Sequence, residues 1–180
     1  MGVRLFQTAR LEIRLISKKD IEDVRLLHND FSTLKWLTDN SIVTEAEQIK
    51  WFKSLKNNER NRRYVARTIT DSTIVGVFRL DGIDFQNKSA QVGLDIAKIF
   101  RQKGYATEIY EQMLEYIFND LGMNRVGLVT LSNNIPALAL YSKLGFKKEG
   151  TLRNAIFRDS KFVDLIQYGL LCEEWRSQKW

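Results

Sequence analysis

The sequence contains very little cysteine, histidine or proline. Its 180 residues include one cysteine, Cys172, one histidine, His28, and one proline, Pro136. A single cysteine excludes an internal disulfide, and one cysteine with one histidine cannot supply the ligands of an ordinary zinc site. A chain of this length can bury roughly 70% of its unfolded surface without such links. These counts favour a reducing compartment and chemistry that uses no metal.

Long hydrophobic runs are also absent. No stretch approaches the roughly 18 apolar residues of a membrane span, and residues 1–10 lack the apolar core of a signal peptide. There is no internal repeat, no low-complexity segment and no linker rich in proline, glycine or serine. We therefore expect a single domain over residues 1–180, located in the cytoplasm, with no membrane partner.

Positive charge exceeds negative charge. Lysine and arginine number 28 and aspartate and glutamate number 22, so the formal net charge is +6 at pH 7. This balance suits an anionic ligand, whether a phosphate-bearing cofactor, a nucleotide-linked sugar or a nucleic acid. The basic segment 56–63 could contact RNA, a ribosome or a cofactor phosphate. It has no interleaved aromatic residues, and a solvated loop is its default interpretation.

Hydrophobic periodicity predicts a mixture of strands and helices. Apolar residues alternate with charged ones over residues 11–15, which indicates a strand with one buried face. Ile21, Val24, Leu27 and Phe31 recur at helical spacing and predict the first helix. The full order is one strand, two helices, three strands, a helix, a strand, a helix and two strands. The expected fold class is therefore a mixed α/β sheet with helices on its faces.

Several short signals predict where helices begin and end. Thr44 and Glu47 fit a capping box at the start of the second helix. Asn134 and Pro136 are typical of a helix N-terminus, and Gly145 of a C-terminus. These positions divide the second half of the chain into separate elements.

Residues 101–107, RQKGYAT, lie between a predicted strand and a long predicted helix. A loop that opens a helix offers unpaired backbone N–H groups and the positive end of the helix dipole, which together bind anions. Gly104 allows a bulky diphosphate to approach the backbone, Ala106 keeps the next position small, and Arg101 and Lys103 add positive charge. An ordinary turn with solvated basic side chains fits the same residues.

The stretch 134–146 reads NIPALALYSKLGF. Together with the R-x-x-G-x-A arrangement of residues 101–106, it resembles the GNAT superfamily of acetyl-coenzyme A dependent N-acetyltransferases. The predicted element order also matches that fold over nearly the whole chain. The resemblance implies a mixed, mostly antiparallel sheet of about seven strands with helices on both faces, splayed between the strands near 90–96 and 126–131. It also implies an enzyme that uses acetyl-coenzyme A.

The resemblance further implies a cofactor site. The loop at 101–107 would bind the pyrophosphate of coenzyme A through backbone N–H groups, and the strand at 94–96 would pair with the pantetheine arm. Asn134 would contact the cofactor, and Lys143 would lie near the adenosine phosphates. The implied cofactor-binding residues are Leu94, Asp95, Ile96, Arg101, Gln102, Lys103, Gly104, Tyr105, Ala106, Thr107, Asn134, Ala137, Tyr141 and Lys143.

Tyr141 is the implied catalytic residue, because the family's tyrosine at this position faces the cofactor sulfur. Chemistry gives an independent reason for a tyrosine. When an amine attacks the thioester, the sulfur leaves as a thiolate, and a thiol pKa of about 8.5 means that it should accept a proton. A phenol can donate that proton. The alternative is a core aromatic that packs three residues after Leu138. Cys172 lies outside the matched sites, so we expect direct transfer without an acyl-enzyme.

The general base is less defined. Many relatives carry glutamate at the strand position that matches Gln91, but an amide cannot accept a proton at neutral pH. Asp95 lies on the same alternating face as Gln91, and Glu45 or Asp81 could act through water. His28 is a further candidate, because an unperturbed imidazole can accept a proton near neutral pH. Each of these carboxylates also fits a solvated side chain, and His28 fits a packed or hydrogen-bonded ring.

Trp36, Gln91 and Asp95 are candidate substrate contacts, as is the predicted hairpin tip at 158–161. The ending at 149–175 most resembles the branch of ribosomal-protein N-terminal acetyltransferases, and diamine and amino-sugar acetyltransferases are close relatives. The positive charge and the missing glutamate favour a protein N-terminal α-amine or an amino-sugar amine over a polyamine. A ribosomal protein and a homodimer partner are compatible with the resemblance, and no DNA partner is expected.

Two other function classes are compatible with the sequence. A coenzyme A-sensing or partner-binding module could keep the fold without turnover, which the change to Gln91 permits. An RNA-binding protein would depend only on the net charge and on the basic segment 56–63.

Overall fold

A computed structural model describes residues 4–56 and 58–178 of the chain. The strands are β1 (Arg4–Gln7), β2 (Leu11–Leu15), β3 (Arg62–Thr68), β4 (Ile74–Asp84), β5 (Ser89–Ile96), β6 (Arg125–Leu131), β7 (Lys147–Arg158) and β8 (Lys161–Leu171). The helices are α1 (Ile21–Asn29), α2 (Phe31–Leu34), α3 (Glu45–Leu55), α4 (Tyr105–Glu115), α5 (Ile135–Lys143) and α6 (Cys172–Ser177). The eight strands form one sheet in the order β1-β2-β3-β4-β5-β6-β8-β7.

The sheet confirms the predicted mixed, mostly antiparallel architecture, because among the strands of the described residues only β5 and β6 run parallel. The described residues form eight strands, where about seven were expected. The additional strand is β1, which pairs with β2 at the edge of the sheet. Its two apolar residues, Leu5 and Phe6, are adjacent, so this short strand lacks the alternation that identifies a strand with one buried face.

Hydrophobic side chains pack on both faces of the sheet. On one face, α4 buries Ile109, Met113 and Leu114 completely, and they join the main core cluster with strand residues such as Phe78. Complete burial of each such side chain contributes about 1.5–3 kcal/mol relative to exposure. On the other face, Val24 and Leu27 of α1 pack against β3 and β4 in a smaller cluster. The helix α4 therefore contributes more buried side chains to the core than α1 does.

The first predicted helix is two helices. Asp30 has an extended backbone, with φ −61° and ψ 123°, and so ends α1 at Asn29. Its carboxylate accepts a hydrogen bond from the Ser32 amide at 2.8 Å and caps α2. Phe31, predicted on the apolar stripe, is instead 82% exposed. The helical spacing was correct as far as Leu27, but an aspartate favours a cap over a helix interior.

The sheet opens between β5 and β6. The two strands pair at only three positions, Ser89 with Arg125, Ala90 with Val126 and Gln91 with Gly127. Beyond them β5 stays paired with β4 as far as Ile96, and β6 stays paired with β8 as far as Leu131. The facing edges of β5 and β6 therefore carry backbone groups that the ladder does not satisfy. This divergence confirms the predicted splay.

Neither a membrane-spanning helix nor a metal cluster occurs in the described residues. None of the helices within 4–56 and 58–178 is long and apolar enough to cross a bilayer. Within those ranges no three histidine, cysteine, aspartate or glutamate side chains come together as a possible metal site.

A buried carboxylate ties β2, β3 and the start of α1 together. Asp20 is fully buried and accepts two hydrogen bonds from Arg14, each 2.7 Å long. It also accepts one from the Ser17 amide at 2.8 Å and one from Arg67 Nη2 at 2.8 Å. Burial alone would raise the pKa of Asp20, but the hydrogen bonds from Arg14, Ser17 and Arg67 outweigh it and hold that pKa well below its usual range.

We expect Asp20→Asn to destabilise the fold by about 3–5 kcal/mol, because it leaves two arginines beside a neutral amide. For a chain of this size that is a fall in Tm of roughly 6–20 °C, measurable by thermal unfolding. Because the folded-state pKa is depressed, the contribution of Asp20 is present above about pH 4 and declines as the pH falls. The exposed Asp120 provides the control, since Asp120→Asn should change stability by no more than about 0.5 kcal/mol. Equal Tm values for the two variants would contradict the expectation.

Candidate active site

A cavity of about 550 Å³ opens where β5 and β6 diverge. Its walls come from β4, β5 and β6, the start of α4, one face of α5, and the segment that follows α2. Of the residues predicted from the sequence, the cavity is lined by Trp36, Gln91, Leu94, Asp95, Ile96, Arg101, Gln102, Gly104, Tyr105, Ala106, Thr107, Asn134, Ala137 and Tyr141. Two separate sequence stretches and three candidate substrate contacts thus meet in one place.

Two predicted cofactor residues do not line this cavity. Lys103 is exposed, and its carbonyl faces Arg10. Lys143 borders a second cavity of about 280 Å³ between α4, α5 and α6. Thr107 lines both cavities. The contacts of Lys103 and Lys143 with a cofactor therefore stay predictions.

Residues 101–107, which we call the glycine loop, make a left-handed turn at Gly104, where α4 begins. Gly104 has φ 81° and ψ −6°, a conformation that an L side chain rarely adopts, and Gln102 also has a positive φ of 59°. The first backbone hydrogen bond of the helix runs from the Glu108 amide to the Gly104 carbonyl at 3.1 Å. The amides before Glu108 in the first turn have no partner within the helix, and the helix dipole adds positive potential there. The loop therefore fits a diphosphate.

Arg10 supports this loop from the turn between β1 and β2. Its Nη1 donates to the Lys103 carbonyl at 3.1 Å, and its guanidinium lies 4.1 Å from the centroid of the Tyr105 ring. It also forms an ion pair with Glu108. Sequence reasoning missed Arg10, because 93 residues separate it from Lys103 and only the folded sheet brings them together.

The Arg101 side chain is engaged within the protein. Its Nε donates to the Ile96 carbonyl at 2.9 Å, its Nη1 to the Ser32 carbonyl at 2.9 Å, and its Nη2 to Thr33 Oγ1 at 2.8 Å. Burial lowers the pKa of Arg101. The side chain thus joins α2, β5 and the glycine loop, and it is oriented by protein acceptors at each of the three donor nitrogens.

Tyr141 lies on α5, in an aromatic group at the wall of the cavity. The helix begins at the predicted cap, where Asn134 Oδ1 accepts from the Ala137 amide at 3.4 Å. The Tyr141 side chain is buried, and its ring centroid lies 5.9 Å from that of Tyr110 and 5.8 Å from that of Phe146. Burial raises the pKa of Tyr141, and the positive charge of Arg79 opposes that shift. The phenol therefore stays protonated at neutral pH, as a proton donor requires.

The carboxylates that line the cavity both lie beside arginines. Asp81 forms an ion pair with Arg63, and Asp95 Oδ1 lies 4.0 Å from Arg79 Nη2. The Gln91 side chain lies over the cross-strand position Gly127. The described part of the cavity wall contains no carboxylate besides these two. Arg79 was not predicted from the sequence, because its place in the cavity depends on the register between β4 and β5.

The other two candidate bases lie elsewhere. His28 Nε2 is 3.1 Å from the Ser41 carbonyl, and Glu45 is exposed in the first turn of α3. Neither side chain lines the cavity. Of the four bases considered from the sequence, Asp81 and Asp95 are therefore the ones that line the cavity.

The predicted hairpin tip contacts one wall of the cavity. Arg158 Nη2 donates to the Leu37 carbonyl at 2.7 Å and to the Thr38 carbonyl at 3.1 Å. These two residues follow Trp36, and all three line the cavity. The β7–β8 hairpin thus holds the segment that carries Trp36.

The family model of the Acetyltransferase (GNAT) domain matches residues 10–147. The chain belongs to the GNAT acetyltransferase family. Within it, a Bacillus subtilis (strain 168) protein named "Putative ribosomal N-acetyltransferase YdaF" is 29% identical over 94% of this chain and 95% of its own length. The SPbeta prophage-derived uncharacterized N-acetyltransferase YokL of the same organism is 34% identical over 97% of each protein.

A solved structure shows the same fold. The spermidine N-acetyltransferase from Vibrio cholerae, in complex with CoA and spermine, has a TM-score of 0.88 at 21% identity over 94% of this chain and 99% of that one. Family membership establishes the chain as an acetyl-coenzyme A dependent N-acetyltransferase. Its resemblance to the GNAT superfamily, inferred from residues 101–106 and 134–146, is confirmed.

The residues that line the cavity fit acetyl-coenzyme A as the acetyl donor. The unpaired amides at the start of α4 suit its diphosphate, and the unpaired edge of β5 suits an extended arm that carries amide groups. Tyr141 lies on a wall of the same cavity. When bound, acetyl-coenzyme A supplies an acetyl group activated as a thioester.

Proposed function

We propose that this chain transfers acetyl directly to a primary amine that carries little positive charge, either the N-terminal α-amine of a protein or the amine of an amino sugar. The observation that supports this proposal most is the pairing of carboxylates in the cavity. Asp81 is beside Arg63 and Asp95 is beside Arg79, so the part of the cavity around Asp81 and Asp95, which we assign to the acceptor and call the acceptor region, carries no excess negative charge. A polyamine with several ammonium groups would gain little from such a surface.

The pKa of the acceptor supports the same choice. Only a neutral amine can attack, and at pH 7 deprotonation costs about 1–1.4 kcal/mol for an α-amine but about 4.6 kcal/mol for an alkyl amine with a pKa near 10.4. Gln91 cannot accept a proton where many relatives have a glutamate. A site without that carboxylate is better suited to amines that are already partly neutral. The relative YdaF, which is named as a ribosomal N-acetyltransferase, is consistent with this acceptor class.

Tyr141 and the position of Cys172 support direct transfer. The protonated phenol can donate its proton to the departing sulfur, which avoids the release of a free thiolate. Cys172 is buried at the start of α6 and does not line the cavity, so no cysteine is placed to accept the acetyl group. A covalent acetyl group on Cys172 that turns over with amine would contradict direct transfer.

A polyamine is the second candidate acceptor. The spermidine N-acetyltransferases of Vibrio cholerae and Escherichia coli (strain K12) match this chain at 22% and 23% identity. Such identities leave the acceptor open. The two classes differ in the pH at which the amine becomes neutral, which gives a direct test.

We expect a panel of amines to separate the candidates. An N-terminal peptide and an amino sugar should be acetylated with a higher kcat/KM than spermidine, measured by thiol release from acetyl-coenzyme A. For the peptide, kcat/KM should rise with pH and level off above about pH 8, where the α-amine is neutral. It should not fall again below about pH 10, because the pKa of Tyr141 is raised and the phenol keeps its proton.

Other outcomes of the panel identify the alternatives. Spermidine as the fastest acceptor, with a rate that keeps rising towards about pH 10, would establish a polyamine acetyltransferase. Binding of acetyl-coenzyme A without thiol release for any amine would establish a non-catalytic module. Either result would overturn the proposed acceptor class.

A further inference from the structure

Arg79 occupies a central position in the acceptor region. It lies on β4 between Asp81 and Val77, and Val77 pairs with Asp95 on β5. Its guanidinium lies over the backbone of Gly93 on β5. A Cβ at position 93 would come within 2.4 Å of Arg79 Nη2, so a side chain there would displace the guanidinium. The position of the Arg79 side chain therefore depends on the glycine at position 93.

The guanidinium has few partners of its own. Its side chain is 40% exposed towards the cavity, and in the described part of the chain its Nε is buried without a hydrogen-bond partner. Its one ion pair there is with Asp95, at the long distance of 4.0 Å. Arg101 and Arg63, in contrast, donate to protein acceptors at 2.8–3.0 Å. Polar groups in folded proteins are rarely left in this state, which indicates that Arg79 is arranged to bind a ligand.

The form of the guanidinium restricts the ligand. Its planar fork of N–H donors matches the oxygens of a carboxylate or a phosphate and binds them bidentately. The neighbouring Asp95 carboxylate presents a negative charge next to this positive one. A cation and an anion side by side are complementary to a molecule that carries an amine and an acidic group close together.

We propose that Arg79 recognises an oxyacid anion, a carboxylate or a phosphate, that the acceptor carries near its amine. This inference rests on the proposed function, since it names a chemical requirement of the same acceptor site. It makes Arg79 a specificity-determining residue: the acceptor is held by its anion at Arg79 while its amine reaches the acetyl group. Asp95 orients the guanidinium from the side.

Matched pairs of acceptors test this requirement. D-glucosamine 6-phosphate is compared with D-glucosamine, and a short peptide with aspartate at its second position is compared with the same peptide carrying asparagine. We expect the anionic member of at least one pair to have a kcat/KM about 10–100-fold higher, mainly through a lower KM. The pair that responds shows whether the anion is a phosphate or a carboxylate.

Two variants of Arg79 and one control connect the preference to the residue. Arg79→Gln should bring the ratio within the responding pair to about one, and Arg79→Lys, which keeps the charge but loses the fork, should give an intermediate ratio. Arg125→Gln is the control, because Arg125 lies in the same sheet, donates to Glu149 at 2.6 Å and does not line the cavity. It should keep the wild-type ratio.

A binding measurement makes the outcome independent of turnover. Calorimetric titrations are carried out in the presence of coenzyme A. Glucosamine 6-phosphate should bind more tightly than glucosamine, or the peptide with aspartate more tightly than the peptide with asparagine. This difference in affinity should be lost in Arg79→Gln. Equal binding within both pairs, or a ratio that Arg79→Gln leaves unchanged, would overturn the inference. If a preference for the anion persists while no amine is acetylated, the proposed function fails and the inference stands.

Discussion

Replacing Tyr141 by phenylalanine should lower kcat by roughly 10²–10⁴-fold, the usual contribution of a general acid, while affinity for acetyl-coenzyme A stays nearly unchanged. Phenylalanine keeps the ring that packs against Tyr110 and Phe146, so the wall of the cavity is retained. The substitution removes the hydroxyl group of Tyr141, and with it the proton that the phenol could donate to the sulfur. Steady-state kinetics gives kcat, and thermal unfolding with added acetyl-coenzyme A reports the affinity.

Tyr168 provides a matched control for this substitution. Its ring centroid lies 5.9 Å from that of Tyr141, but it does not line the cavity. Tyr168→Phe removes the same hydroxyl from the same aromatic group and should leave kcat unchanged. If Tyr141→Phe also leaves kcat unchanged, the role of Tyr141 is packing, and another group must protonate the sulfur.

Gly104→Glu should abolish binding of acetyl-coenzyme A. The backbone at Gly104 has φ 81°, where a side chain is strained, and the added carboxylate would repel the diphosphate at the start of α4. In the unchanged protein, acetyl-coenzyme A at about 100 times its Kd should stabilise the fold by about 2.7 kcal/mol. For this chain that is a rise in Tm of roughly 5–11 °C, and the variant should show none.

Gly122→Glu separates the loss of binding from backbone strain. Gly122 also has a positive φ, 66°, and no atom lies within 4 Å of the position its Cβ would take. It ends the π-helical turn Tyr116–Asp120 that follows α4, and it does not line the cavity. The variant should have a lower Tm but keep the rise with acetyl-coenzyme A. A normal rise in Gly104→Glu would remove the loop from the binding site.

The parts of the fold that depend on local chemistry were predictable from the sequence. Thr44 and Glu47 form the expected capping box, and Gly145 ends α5 with φ 81°. The strand β1 and the break at Asp30 were not predictable in the same way. An edge strand of four residues carries little periodicity, and a single capping aspartate competes with a helical pattern on both sides of it.

The residues of the candidate site also differ in whether the sequence could identify them. The glycine loop and the α5 stretch are each contiguous in sequence, so the family resemblance that these two stretches carry could select Tyr141 and the residues from Gly104 to Thr107. Arg79 and Arg10 act through partners on other strands and helices. Arg79 becomes significant only when β4 and β5 are in register and place it over Gly93. Cross-strand register of this kind is set by the whole sheet.

The divergence of β5 from β6 also affects how the molecule unfolds. The backbone ladder joins β1–β5 to β6–β8 through three residue pairs, so hydrogen bonding along the sheet transmits little cooperativity from one half to the other. The main core cluster spans both halves, with Phe78 on one side, Leu128 on the other and α4 across them. We therefore expect global cooperativity to depend on side-chain packing under α4, and amide exchange in β6 and β8 to follow how often that packing opens.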